Sequence, residues 1–341
     1  MRRLAGLQEV AAPVALVIAA ALFGALLSAS TQTYFINSLV NVSIVVALYV
    51  FIGNSGVISF GHISFVAVGA WTAGVLSVPR AEKSAIMPDL MHVLRSQTVG
   101  NVPSLALAAA VGGICAVVVA LPLMRLSGLA AGIATFGVLE ITQNVLQYEN
   151  RIGPGLNTFS SVPETTGLGQ AAIGAVLVIV VAYIYARSRF GRLLRATRED
   201  AAAARAVGIS VYRQRMVAFG LSGVLAGFAG GLYIHLLPLQ AGGLYLDLTF
   251  ITLAMLVIGG TNSLWGAVVG ALAVSGLDSF LAVGENGLSV FGWFTLNLHS
   301  GTRVVVEGIL MEVVLILRPS GLTGGREFSF ARLKTTHWRR A

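Results

Sequence analysis

Charge is scarce in this sequence: Asp, Glu, Lys and Arg together make up 11% of its 341 residues, against roughly a quarter in an ordinary soluble domain. Only two lysines occur, Lys83 and Lys334. Neither sits in a glycine-rich setting, and the chain has no GxxxxGK[ST] loop to cradle phosphates. An HExxH helix, a Cys/His cluster at metal spacing and a GxSxG elbow are missing too, which removes the commonest routes to metal-assisted or nucleophilic catalysis. The single cysteine, Cys115, lies in an apolar run, so an intrachain disulfide is excluded and the redox compartment cannot be read from it. No stretch outside the apolar runs is long enough for a second domain of ordinary size.

What the chain has instead is hydrophobicity: 56% of residues are hydrophobic and the mean hydropathy is +0.84. Windows of the roughly 20 apolar residues that cross a bilayer recur along it, near 12–30, 35–53, 57–78, 104–124, 127–147, 170–186, 216–237, 248–260, 264–283 and 302–318. The third is interrupted by polar and glycine residues and the eighth is short. The reading is an all-α polytopic membrane protein of about ten transmembrane helices (eight to ten), some broken, forming one membrane domain over 1–341. Forty glycines suit close helix packing in lipid. The net charge of +8 does not point to nucleic acid, because the arginines cluster beside apolar spans, where an inner-leaflet bias places them.

That bias orients the bundle. With Arg2 and Arg3 inside, an even number of crossings puts both termini, Arg125, the 187–215 segment and a 319–341 tail bearing Arg326, Arg332, Lys334, Arg339 and Arg340 in the cytosol. The 79–103 loop on the opposite side, with Arg80, Lys83 and Arg95, fits least well; its three prolines frame a predicted short surface helix. The start, MRRLAGLQEV before an apolar run and SAS, has the outline of a cleavable signal ending near Thr31, but the run is long for a signal and a retained first helix is expected.

The segment from Arg187 to Arg215 is a basic island holding eight of the twenty arginines and two acids, Glu199 and Asp200. Leu193 to Val207 is helix-favouring and free of Gly and Pro, with Gly208 as a C-terminal stop. Leu193, Leu194, Thr197, Ala201, Ala204 and Val207 make an apolar stripe bordered by Arg195, Arg198, Glu199 and Arg205. Such a helix either docks in a partner's groove or is a solvated connector held to lipid by arginines.

Three other places carry polar atoms inside apolar sequence. Gly53 to Trp71 combines Asn54, Ser55, Ser59, His62 and Ser64 with Gly53, Gly56 and Gly61, a composition for a broken helix beside a permeation path. His62 alone reads more readily as a hydrogen-bonded interior histidine. Ile258 to Ala271, with Asn262 and Ser263, is a second glycine-rich break, or else small residues for packing. Glu140, Gln143, Asn144 and Gln147 fall on one face near the outer end of the fifth span, lining a path or forming an interhelical seam. Glu307 and Glu312 are about 140° apart on a helix and are expected to have separate partners, such as a nearby arginine. The glycines from 220 to 231 read as a packing seam.

Taken together these segments resemble the permease subunits of branched-chain amino-acid ABC importers, the Liv type. Gly56, Ser59, Gly61, His62, Phe65, Gly69 and Ala70 are similar to one family signature, with Trp71 where tyrosine is common. Gly191, Arg192, Leu194, Arg195, Ala196, Arg198, Glu199, Ala203, Ala204, Gly208 and Ile209 resemble the cytosolic signature. Gly259, Gly260, Ser263, Leu264, Gly266, Gly270 and Ala271 resemble a third, and Arg318, Pro319, Gly321 and Leu322 a closing one. Ala201, Arg205, Asn262 and Ala267 depart from it. Length and ending look more like the second, LivM-like, permease, and urea and short-chain amide importers share these motifs.

The resemblance implies that Leu194, Arg195, Arg198, Glu199, Ala203, Ala204 and Gly208 engage an ATPase. It implies a second permease, two cytosolic ATPases and a periplasmic or extracytoplasmic binding protein as partners in a bacterial inner membrane. ATP is then used by those partners, and this chain needs no cofactor or metal. Asn54, Ser59, Gly61, His62, Ser64, Glu140, Asn144, Asn262 and Ser263 are the candidate path residues. The rival reading is an ion-coupled transporter using Glu140, Glu307 or Glu312.

Overall fold

In lipid every backbone N–H and C=O must be satisfied within the chain, and helices do so locally. The computed structural model describes residues 2–285, 288–290, 294–296, 299, 301–318 and 320–328, and the apolar windows fold as helices within it. In chain order these are α1 (Arg2–Ala25), α2 (Ala29–Ser55), α3 (His62–Ser77), α4 (Arg80–Ile86), α5 (His92–Ser96), α6 (Asn101–Leu123) and α7 (Leu129–Tyr148). There follow α8 (Leu168–Arg187), α9 (Arg189–Glu199), α10 (Ala201–Ala206), α11 (Val211–Ile234), α12 (Leu246–Gly259), α13 (Leu264–Glu285) and α14 (Thr302–Leu317).

Among the described residues, eight helical segments are long and apolar enough to cross a membrane: those of α1, α2, α6, α7, α8, α11 and α13, and Ala241–Gly259, in which a 3-10 turn leads into α12. Counting α3 with α4 as one span bent by 119° gives nine. The windows at 57–78 and 302–318 hold helices of 16 residues, α3 and α14, about 24 Å long at 1.5 Å per residue and so short of a hydrocarbon core of about 30 Å. The cause at α3 is the expected break. Gly56 ends α2 in the left-handed region (φ 69°), its N–H bonded to Ile52 O, and the chain stays non-helical until His62. A hairpin of Leu288–Val290 against Phe294–Leu296 adds two short strands to the all-α expectation and leaves the bundle helical.

The core is organised on α2, which is buried from Ser38 to Ser55 and apolar on all sides, as a fully enclosed helix must be. It packs against α8, α11 and α13, while α11 lies against α3 and α6. The expected glycine seam of α11 is what brings the last three together: a methyl group on Gly230 would fall 2.0 Å from Val66 O, and one on Gly69 would fall 2.2 Å from Gly227 O. Backbones touch there, and no side chain fits between them.

Two loop expectations change. The 79–103 loop contains two short helices, α4 and α5, and Lys83 is buried between them, donating to Leu94 O at 3.0 Å and to Gln97 O. It is therefore not a free surface cation, and desolvation pushes its ammonium pKa down. The helix expected over 193–207 is two helices, because Asp200 leaves helical geometry and caps the second, its Oδ1 accepting from Ala202 N (2.8 Å) and Ala203 N (2.9 Å). Asp favours exactly such N-caps over helix interiors because its side chain competes for backbone N–H groups. Gly208 follows at φ 81°, the left-handed stop that the sequence suggests.

Candidate functional site

The basic island folds back on the bundle. Ser188 begins α9 by accepting from Gly191 N, and the helix presents Arg195 and Arg198 to the ends of other spans. Arg195 donates to Asn54 Oδ1 and to Ala186 O, both at 2.8 Å. Arg198 donates to Gly53 O at 2.6 Å and to Asn262 Oδ1 at 2.5 Å. Two sets of residues that sequence reasoning keeps apart, the arginines expected to engage an ATPase and the polar atoms of the two breaks, thus form one latch. A methyl group on Gly56 would come within 2.9 Å of the Arg198 stem, so the turn after α2 is shaped to that side chain.

The α12–α13 break is held from a second direction. Gly260 takes φ 116°, Ser263 Oγ accepts from Gly266 N at 3.0 Å, and the chain after α14 closes over the turn. Leu322 N donates to Ile258 O at 2.7 Å and Thr323 Oγ1 to Gly259 O at 2.8 Å. Gly321, at φ 77°, lies against Gly260, where a methyl group would be 2.6 Å from the Gly260 backbone. Glu327 then reaches the start of α13, accepting from Leu264 N (2.7 Å) and Trp265 N (3.1 Å), two of the donors that a helix start leaves unpaired. Burial pushes its carboxyl pKa up, against the pull of those two N–H groups.

Sequence reasoning marks Gly321 and Leu322 within a closing signature but misses that they strap the turn, and it misses Glu327, whose signal is that it is the only acid in the sequence after Arg318. Pro319 and the later tail residues Arg332, Lys334, Arg339 and Arg340 lie outside the described residues.

The other candidates separate into two further groups. Ser59, His62 and Ser64 are interior: His62 is 1% exposed, its Nδ1 is 2.7 Å from Ser59 Oγ, and its ring stacks on Phe51 and meets Phe65 and Phe219 edge-on. Gly61 abuts α7, where a methyl group would fall 2.3 Å from Thr135 O. Glu140 and Asn144 are exposed on α7; Glu140 accepts from Asn144 Nδ2 at 2.9 Å and from the Tyr245 hydroxyl. Gln143 turns inward and is buried, so the four polar residues of that stretch do not share one environment. Glu307 sits beside Asp278, which pairs with Arg303 at 3.1 Å, while Glu312 is exposed.

Of the proposed ATPase-facing residues, Leu194 and Ala204 are buried in this chain's own bundle, and Glu199, Ala203 and Gly208 are exposed. The exposed tip also carries Ala202, Arg205, Ala206 and Val207, the last 75% exposed. The apolar stripe is therefore divided, its first half packed inward and its end outward. No group of three metal-ligating side chains occurs among the described residues.

The described fold thus joins broken, glycine-packed spans to a basic helix latched at the breaks. The chain matches the family model described as "Branched-chain amino acid transport system / permease component" over residues 33–317, and it belongs to that family. It is 25% identical over 345 residues to the high-affinity branched-chain amino acid transport system permease protein LivM of Escherichia coli, covering 91% of this chain and 73% of LivM. It is 32% identical over 191 residues to the autoinducer 2 import system permease protein LsrC of Klebsiella pneumoniae, covering 52% of this chain, and the match spans about half of LsrC (53%). A probable branched-chain amino acid transport permease protein LivH of Methanocaldococcus jannaschii is 30% identical over 169 residues, 47% of this chain and 49% of that relative. No solved structure matches.

Proposed function

We propose that the chain is a permease subunit of a bacterial ABC importer, embedded in the inner membrane with the island and both termini in the cytosol. It forms a transmembrane path for branched-chain or related amino acids beside a second permease. Two cytosolic ATPases bind below, and an extracytoplasmic binding protein delivers substrate at the far side. The observation that carries this reading is the latch. Arg195 and Arg198 tie α9 to the C-terminal end of α2 and to the α12–α13 turn, so displacement of the exposed 199–208 tip is passed to both breaks. The exposed Glu140–Asn144 strip of α7, joined to Tyr245, is the far-side part of the path.

The test replaces Arg195, Arg198 and Glu199 with alanine in the assembled transporter. Uptake of a branched-chain amino acid into proteoliposomes is expected to fall about tenfold or more, the size of an ordinary coupling free energy, while the protein remains in the membrane. Retained uptake would overturn the coupling role. Uptake driven by an ion gradient without ATPases would establish the ion-coupled alternative instead.

A further inference from the structure

We propose that a groove between α9 and α11 is a binding site for an anionic phospholipid whose headgroup carries hydroxyls. The groove has a volume of about 440 Å³ and is formed where the first turns of the two helices meet. Its rim bears Arg189 and Arg213, both exposed, and its walls are Phe190, Leu193 and Met216. Neither guanidinium has a hydrogen bond or ion pair among the described residues, unlike Arg187, Arg192, Arg195 and Arg198, which bond to this chain. Gln214 lines the same groove at 9% exposure, and its side-chain Oε1 is buried without a hydrogen-bond partner. An orphaned buried acceptor costs the desolvation of that group unless a ligand supplies a donor.

Charge, shape and donor count converge on one occupant. A phosphodiester satisfies two free arginines at an inner-leaflet boundary, and a headgroup hydroxyl donates to Gln214. An acyl chain follows α11 into the bilayer along Val217 and Val224, seven residues apart on one exposed face. A soluble ATPase has no use for that apolar continuation, and the exposed tip at 199–208 lies at the other end of the α9–α10 pair. Because α9 forms one wall, a lipid here also braces the helix that carries the latch.

The site rests on the island facing the inner leaflet. Lipid retention is read on the isolated chain, so its failure and the failure of the coupling reading are separate results. Native mass spectrometry of the chain purified in mild detergent, with phosphatidylglycerol, phosphatidic acid or phosphatidylcholine added, is the measurement. Phosphatidylglycerol is expected to be retained best. Arg189→Gln with Arg213→Gln should lower its retention about thirtyfold, two surface cations being removed. Arg192→Gln with Arg205→Gln, which removes equal charge from the same island, should leave retention near its starting value. An equal loss in both double variants would reduce the effect to diffuse electrostatics and overturn the site, as would no preference over phosphatidylcholine. Preference for phosphatidylglycerol unchanged in the first variant would place the lipid elsewhere. A photo-crosslinker replacing Phe190 should label lipid in the assembled transporter; labelling of the ATPase instead would make the groove a protein contact and sink the proposal.

Discussion

Arg195 and Arg198 differ from the other island arginines in that their bonds reach the two breaks, on Asn54, Gly53 and Asn262. Lysine is a poor replacement, because a compact ammonium on a flexible stem does not reproduce the reach and fixed geometry with which a guanidinium fork joins two separate elements. Arg198→Lys is therefore expected to lose most of the uptake lost in Arg198→Ala, measured in the same proteoliposomes. A different kind of residue effect is expected at the glycine seam. Gly230→Leu forces a side chain into the 2.0 Å approach to Val66 O and should destabilise the fold by roughly 1–3 kcal/mol or more, read as a lowered unfolding temperature in detergent. Gly276, with nothing within 4 Å of its missing side chain, should accept alanine without loss.

At the scale of elements, the α9–α10 pair turns on Asp200. Its carboxylate is held below the usual range, first by the Ala203 N–H and then by that of Ala202. The sign follows: a depressed carboxyl contributes its cap at neutral pH and loses it only as pH falls through the lowered value. The protection factors of the Ala202 and Ala203 amides, which discount the pH dependence of intrinsic exchange, should hold through the ordinary carboxylate range and fall at more acidic pH; Asp200→Asn should keep the protection and Asp200→Ala should lose it. Glu327→Ala should similarly expose Leu264 and Trp265 N–H at the start of α13, at a cost of about 1 kcal/mol typical of a lost cap. The sequence shows the elements unevenly. Spans announce themselves by apolar length, and Gly208 by its place after an alanine-rich run. Asp200 inside that run carries no mark that distinguishes a mid-helix acid from a second N-cap, and the strap from Leu322 to Glu327 gains its meaning from a turn some sixty residues earlier. Asn54 and Asn262 are legible as polar atoms at breaks, whereas their acceptance of arginine bonds is a tertiary fact that periodicity cannot carry.

For the whole molecule, the proposal makes this chain one part of a machine whose fuel is used elsewhere. The pure chain should hydrolyse no ATP, and hydrolysis surviving further purification would end that assignment. Purification in mild detergent from the native membrane should bring down a second permease and ATPase subunits; a chain that always emerges alone with ion-driven uptake would support the rival. The latch has a further consequence for how such an assembly responds to its surroundings. Both arginines are held by neutral oxygens, not by carboxylates, so the contact is charge against dipole at hydrogen-bonding distance, well inside a screening length of about 8 Å at physiological ionic strength. Salt that weakens docking of the exposed, charged tip to a partner should leave the latch in place. Rising ionic strength should then disconnect the permease from its motor before it loosens the permease itself.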